Sequence, residues 1–320
     1  MHRTPSSRRG ALFALVVTAL LAAFLPAAAS AQASAATAGI YLRDNLADTG
    51  AEPGSGGIWS SPDITVCAGG PCAADVPVTP TLTYSVWVNV HNNDQVAHTG
   101  KLRLYYTKAG GNAQWTADWT EFGNVTATIP PGGQQLMVPW TVPNDWKHYC
   151  LLARWVEDPA DPMAFAEGLS TETNTRNNNN IAWHNVVTAT HPANVDVRMD
   201  WMIGNPLPRD VRAGLVVAPV GEPFIGQGRV VVDLGQALTE RWRAAGGQAV
   251  GLRQVGTTQF QVVDAKQARF TGLVLKAGER LPVGLVVNGT RDANGKPFTV
   301  FQTDEQGVDR GGVEYRLTFR

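Results

Sequence analysis

The sequence predicts an all-β protein, built as two β-sandwiches in tandem with one short helix in the second. Three observations carry this. After residue 80, apolar and polar residues alternate with a period of two in segment after segment, the mark of strands with one buried face. Clusters of Gly, Pro, Asn and Asp separate these segments at short, fairly even intervals. Long helical periodicity, strand–helix–strand alternation and heptads are absent, which argues against an α/β enzyme core. A length of 320 residues suggests two domains of ordinary size, each able to bury its own core.

Residues 1–33 read as a cleaved signal peptide. Arg3, Arg8 and Arg9 form a positive start, Ala11–Leu25 is an uncharged apolar run of 15 residues, and Ala29-Ser30-Ala31 and Ala31-Gln32-Ala33 offer small-residue cleavage sites. Such a run falls short of the ~20 residues that span a bilayer as a helix, so no stable membrane insertion is expected. Ser7-Arg8-Arg9 resembles a twin-arginine signal only faintly, and ordinary secretion is favoured. The whole chain carries a net charge of −1. Loss of the leader leaves 23 basic against 27 acidic residues, a net −4. Neither balance supports a dominant electrostatic grip on nucleic acid or anionic membrane. The expected location is secreted or cell-surface.

Residues 34–80 are expected to form an irregular segment packed on the first sandwich. Cys67 and Cys72 flank Ala-Gly-Gly-Pro, a turn that brings two Cβ atoms within reach. In an exported chain this predicts a local disulfide, and the spacing is poor for zinc. Cys150 lies in a strand-like apolar stretch and reads as a buried hydrophobe.

The first sandwich, 81–190, takes predicted strands at Leu82–Val90, Lys101–Thr107, Asn124–Ile129, Gln134–Trp140, His148–Val156 and Ile181–Thr190. Turn chemistry at Gly110-Gly111-Asn112, Pro130-Pro131-Gly132-Gly133 and Pro143-Asn144-Asp145 separates them. His191-Pro192-Ala193 reads as a short linker. The second sandwich, 194–320, takes strands at Val195–Ile203, Val211–Pro219, Arg229–Asp233, Gln259–Val263, Ala268–Leu275, Leu281–Val287, Phe298–Thr303 and Gly312–Phe319. Between them, Ala237, Leu238, Trp242 and Ala245 have the spacing of a helix over Gln236–Ala245 that lies against a sheet. Eight of the ten tryptophans precede residue 190, which places the boundary where composition changes.

The acidic loop holding Asp44 and Asp48, with Asp63 further on, supplies hard oxygen ligands of the kind Ca²⁺ takes. A calcium ion there would brace the N-terminal segment. Glu157-Asp158-Pro-Ala-Asp161 is a second acidic loop. The plainer reading of both is turn chemistry, in which Asp and Asn satisfy local backbone groups. Asn177–Asn180 reads as a tight turn between paired strands. Trp115, Trp119 and Trp146 lie in or beside loops and are candidates for stacking on a glycan, against the alternative that indoles fill sandwich cores.

Several separated motifs then resemble a family. Arg43-Asp44-Asn45 through Pro53, Trp59-Ser-Ser-Pro62-Asp63-Ile64, Trp115-Thr-Ala-Asp118-Trp119, His148-Tyr-Cys150-Leu-Leu-Ala-Arg154, and Glu172-Thr-Asn174 followed by Asn177–Asn180 are similar to the pattern of CARDB-like domains, the immunoglobulin-like modules of secreted bacterial proteins related to cell adhesion. The likeness covers about residues 39–190. The second half more weakly resembles immunoglobulin-like modules appended to bacterial glycosidases and proteases, through Leu275-Lys-Ala-Gly278-Glu279 and the strand after it. The resemblance implies two tandem immunoglobulin-like β-sandwiches and an adhesive or accessory role, with an extracellular protein or glycan as partner. It implies no catalytic residue.

Enzyme signatures are correspondingly sparse. The chain has no H-E-x-x-H, no G-x-S-x-G and no phosphate-binding G-x-x-x-x-G-K-[ST]. His91, His98, His148, His184 and His191 are scattered. A non-catalytic adhesion, matrix or surface-interaction protein is the leading reading. A carbohydrate-binding accessory protein comes second, and a hydrolase whose carboxylate pair is hidden in the fold comes third.

Overall fold

Alternation decides the layers. In the computed structural model, which describes residues 39–108, 110–144, 148–186 and 190–320, the first half holds β1 Ile40–Tyr41, β2 Ile64–Cys67, β3 Thr83–Asn92, β4 His98–Thr107, β5 Thr120–Ile129, β6 Gln134–Thr141, β7 Tyr149–Val156, α1 Thr171–Asn177 and β8 Ile181–Val186. The leader and Trp146 lie outside the described residues. One sheet centres on β3, with β6 on one side and β2 and β1 on the other; the second runs β5–β4–β7–β8. Tyr84, Val86, Val88 and Val90 of β3 turn inward to meet Leu102, Leu104, Leu151, Ala153 and Trp155.

The segment 34–80 is not wholly irregular. It supplies β1 and β2, whose Ile40, Ile64 and Val66 belong to this core. Strands of two and four residues give too few alternations to stand out in a sequence.

A further departure is α1. Thr and Asn are poor helix formers, and Thr171–Asn177 holds five of them. Two local bonds compensate: Ser170 caps the helix by accepting from the Thr173 N–H at 3.2 Å, and Glu172 pairs with Arg176 one turn on. The rest is tertiary, since Thr171, Glu172, Asn174 and Thr175 are buried. The run Asn177–Asn180 is thus the end of a helix and the turn into β8, not a turn between paired strands.

The second half holds β9 Thr190–His191, β10 Val197–Gly204, β11 Val211–Pro219, β12 Gly228–Asp233, α2 Gly235–Ala244, β13 Gln248–Val250, β14 Leu252–Gln254, β15 Gln259–Val262, β16 Arg269–Leu275, β17 Arg280–Gly289, β18 Phe298–Thr303, β19 Asp309–Tyr315 and β20 Thr318–Phe319. Two five-stranded sheets, β10–β17–β12–β15–β14 and β13–β16–β11–β18–β19, enclose its core. The predicted helix is present one residue early. Its Leu238 and Trp242 are buried, and Trp242 meets Phe260 and Phe270 edge to face at 5.4 and 5.6 Å.

The start of the second half is tied to the last strand of the chain. Thr190 and His191 pair in parallel with Thr318 and Phe319, and the Ala193 N–H donates to the Arg320 carbonyl at 2.9 Å. Beyond this, the outer face of β4, β7 and β8 carries a second apolar cluster that includes Tyr105, Cys150, Leu152, Ile181 and Trp183, against which Met202 and Phe301 of the second half pack. This explains why β7 is buried at all but its last residue: one face meets the sandwich core and the other the junction. Gly111 sits so close to Trp201 that a Cβ there would lie 2.8 Å from the indole. Hydrogen bonds complete the seam, among them Gly111 N–H to the Met202 carbonyl at 3.0 Å, Trp59 Nε1 to Asp309 at 3.0 Å and Arg280 to the Asn112 carbonyl at 2.6 Å. The described residues form one compact unit.

Candidate cation sites and the junction

The three acids proposed from sequence do not converge. Asp63 is fully buried and faces Arg43 and His91, with Arg43 Nη2 at 2.5 Å, His91 Nε2 at 3.0 Å and the Arg43 N–H donating at 2.7 Å. Burial alone would raise its pKa, but the bonds from His91 and Arg43 outweigh burial and hold the carboxyl below the usual range. Asp63 therefore already has its partners.

Asp44 and Asp48 do share one loop. Asp48 accepts the Asp44 N–H at 2.8 Å and the Gly50 N–H at 2.8 Å. Asp44 is 3% exposed, and its Oδ1 is buried with no hydrogen-bond partner. Burial pushes its pKa well above the ordinary carboxylate value, the Asp48 charge adds to this, and Arg176 opposes it. A buried, unsatisfied carboxylate oxygen costs more than a missing hydrogen bond gains.

The second acidic loop is where donor groups gather. Among the described residues, His98, Asp158 and Asp161 form the one group of three metal-ligating types within 4.8 Å of one another. Yet its parts are already satisfied. His98 Nδ1 lies 3.1 Å from Asp158 and Nε2 3.2 Å from Asp94. Two carboxylates can both be satisfied only by an imidazolium, and these bonds raise the His98 pKa against the opposing effect of burial. Asp158 also accepts from Trp155 Nε1 at 3.1 Å, and Asp161 from the Ile40 N–H at 2.6 Å. The group is tied together by its own hydrogen bonds.

The Asn run ties these loops together. The Asn179 carbonyl accepts from the Leu42 N–H at 2.8 Å and its amide donates to the Gly50 carbonyl at 2.9 Å, while the Asn180 carbonyl accepts from the Trp155 N–H at 2.8 Å. Its role is backbone bonding.

The two described loop tryptophans are engaged. Trp119 is 8% exposed, donates its N–H to Thr171 at 2.8 Å and meets Trp183 edge to face, so it has no face for a sugar. Trp115 is half-buried, with the Arg154 guanidinium 4.2 Å from its ring centre. The Cys67–Cys72 disulfide is formed, with Cα atoms 5.8 Å apart.

One constellation was not legible in sequence. His148 Nε2 lies 3.1 Å from Cys150 Sγ, and the thiol donates to Asn185 Oδ1 at 3.0 Å. These are the residue types of a thiol nucleophile, a base and an orienting amide. Burial, however, pushes the Cys150 thiol up to about 12 and His148 down to about 3. At neutral pH the pair is a neutral thiol and a neutral imidazole, shut inside the junction, where Asn185 also donates to the Gly312 carbonyl at 3.2 Å. A polar groove of about 640 Å³ does open at the seam, lined by Ser170, Asn205, Arg209, Asp210, Asp304 and Arg310 among others.

No protein-family model and no curated protein matches the chain. Solved structures do. The solution structure of the CARDB domain of a Pyrococcus furiosus protein is 22% identical, with a TM-score of 0.25, over 39% of this chain and 92% of that domain. A crystal structure of the same domain, in complex with di-metal ions, is 22% identical, with a TM-score of 0.24, over 41% of this chain and 92% of that one. A Paenibacillus cycloisomaltooligosaccharide glucanotransferase complexed with cycloisomaltoheptaose is 17% identical, with a TM-score of 0.24, over 43% of this chain and 17% of the enzyme. What those proteins bind is a property of theirs. The chain is an all-β protein built of packed antiparallel sheets.

Proposed function

We propose that this chain is an exported, non-catalytic surface-interaction protein of adhesion or matrix type. The observation that carries the reading is the junction. Apolar packing and backbone hydrogen bonds across it give a single stiff body, and a preorganised surface loses less entropy on binding than a hinged one. The Cys67–Cys72 bond supports an oxidising location outside the cytoplasm. The closed Cys150–His148 pair supports a non-catalytic role. A calcium ion bound at Asp44 and Asp48 would neutralise the orphaned oxygen and brace the N-terminal loop. Asp63 has no part in this brace. A second reading, a glycan ligand, rests on the groove at the seam, whose volume suits a small polar ligand.

The test is retention of the mature chain on intact cells, peptidoglycan and insoluble polysaccharides, in calcium or in EDTA. Retention on cells supports the proposal, and retention on one polysaccharide alone moves the reading to the groove. Retention on none overturns a surface role. For the brace, calcium should raise the thermal midpoint of the native chain and leave Asp44→Asn unmoved. In EDTA the Asn variant should be at least as stable as the native chain, because it removes a carboxyl whose charged form burial disfavours. Identical midpoints with and without calcium would remove the ion from the account.

A further inference from the structure

The sandwiches end in edge strands, and an edge strand offers unpaired backbone groups to any other strand. Among the described residues, the other edges of the four larger sheets are guarded or short. β8 is covered by Ser60, which bridges His184, and by the Ser61 N–H donated to Trp183. β2 is capped by Asp75 and Val76, which bond Val66 on both of its backbone groups. β6 carries Pro139, which has no N–H. β10 presents Arg198 and Asp200, and β19 presents Asp309, Arg310 and Glu314. β1, β13 and β14 are three residues or shorter.

β5 is the exception. It has ten residues, no proline and one charge, Glu121, which pairs with Arg103 of β4 at 3.2 Å. The register shifts at Phe122, where Leu104 faces Gly123 and Tyr105 faces Glu121. Beyond that bulge, Gly123–Ile129 is a regular, uncharged stretch, paired among the described residues with β4 alone. Its outward side chains are Asn124, Thr126 and Thr128, all exposed. Its inward Val125 and Ala127 touch the core but are only partly buried. The stretch is also self-complementary. Placed antiparallel to a second copy about Thr126, Asn124 faces Thr128, Thr126 faces Thr126, and Val125 faces Ala127. Polar then meets polar on one face and apolar meets apolar on the other, and Glu121 lies outside the paired region.

We propose that β5 is a self-association edge, and that its occupant is a second copy of this chain. Two copies pair antiparallel through Gly123–Ile129 about a two-fold axis at Thr126, joining two four-stranded sheets into one of eight. Cross-strand Thr pairs and the covering of Val125 and Ala127 supply the affinity, and closed two-fold symmetry limits the assembly to a dimer. The inference does not depend on the proposed surface role.

Sedimentation of the mature chain across concentration tests it. The native chain should show a concentration-dependent monomer–dimer equilibrium. Thr126→Asp and Thr126→Lys each set like charges together at the axis and should weaken the dimer at least tenfold, while thermal melting shows that both still fold. An equimolar mixture of the two should recover the dimer. Register is read by oxidation: Thr126→Cys should cross-link to itself, whereas Thr128→Cys should cross-link to Asn124→Cys and not to itself. A native chain that is monomeric at every concentration overturns the proposal and leaves the edge to a strand of another protein. A dimer indifferent to both charges at Thr126 overturns it as well.

Discussion

The two halves solve the same packing problem with different chemistry. Among the described residues, the polar side chains buried in the second half are Asn205, Thr239, Thr299, Gln302 and Thr303, none of them an acid or a base. The first half buries Asp44, Asp63, His98, His148, Arg154, Asp158 and Glu172. Burying an ionised group is costly unless it is paired, so the first half is stable only while its pairs hold their charges. The core of the second half is apolar packing, which pH and ions leave alone. Sensitivity to the surroundings is therefore built into the half that carries the acidic loops, and the other half works as support.

The largest effect should come from the apolar core. Phe270 is 1% exposed and packs against Trp242 and Phe260, so Phe270→Ala should cost about 3–5 kcal/mol. The loss should be the same at pH 5 and pH 8 by chemical denaturation. A strongly pH-dependent loss would break the contrast between the halves.

Next comes Asp63. Its replacement by Ala leaves Arg43 and His91 without a partner beside a buried site and should cost about 3 kcal/mol at neutral pH. Because its folded pKa lies below the unfolded value, its stabilisation is fully present above that unfolded value and is lost as pH falls through the folded one. The gap between the native chain and Asp63→Ala should therefore close in acid. A constant gap would mean that the side chain acts through packing instead of charge.

The smallest effect sharpens the comparison at the alkaline end. His184 lies between two acceptors, the Ser61 carbonyl at 2.8 Å and Asp75 at 2.6 Å. Burial alone would lower its pKa, but Asp75 and the Ser61 carbonyl raise it overall. Its contribution, about 1.5 kcal/mol for a charged hydrogen bond, should be complete below the unfolded pKa of ~6.5 and be lost as pH rises through the folded value. Stability of the native chain minus that of His184→Gln, followed from pH 6 to 9, should shrink. Imidazole proton shifts should place the His184 titration above that of a free histidine.

How much of this could be read in the chain differs from element to element. β3 was legible from its sustained alternation, and β4, β6 and β11 from shorter apolar runs with Gly or Pro close by. Cys67 and Cys72 were legible because four residues of turn leave the sulfurs few alternatives. The helix α2 was legible from the spacing of Leu238 and Trp242. α1 was not, because Thr and Asn argue against a helix and only burial of that face overrides them. The candidate cation site was legible in its residue types and wrong in its membership. Asp44 and Asp48 are four residues apart and share a loop, whereas Asp63 is turned toward Arg43 and His91 by β2 and β3, which no spacing reveals.

The sequence by itself determined the class of the protein: strands, turns, one bridge and one helix, all set by interactions within a few residues along the chain. Tertiary structure alone decided that the outer face of β7 is buried against a second sandwich, that His98 serves two carboxylates, that the Asp44 oxygen is left without a partner and that β5 pairs, among the described residues, with β4 alone. Each of these depends on groups far apart in the chain. A side chain's charge and freedom are fixed by what surrounds it, and the surroundings exist only after the sheets have closed.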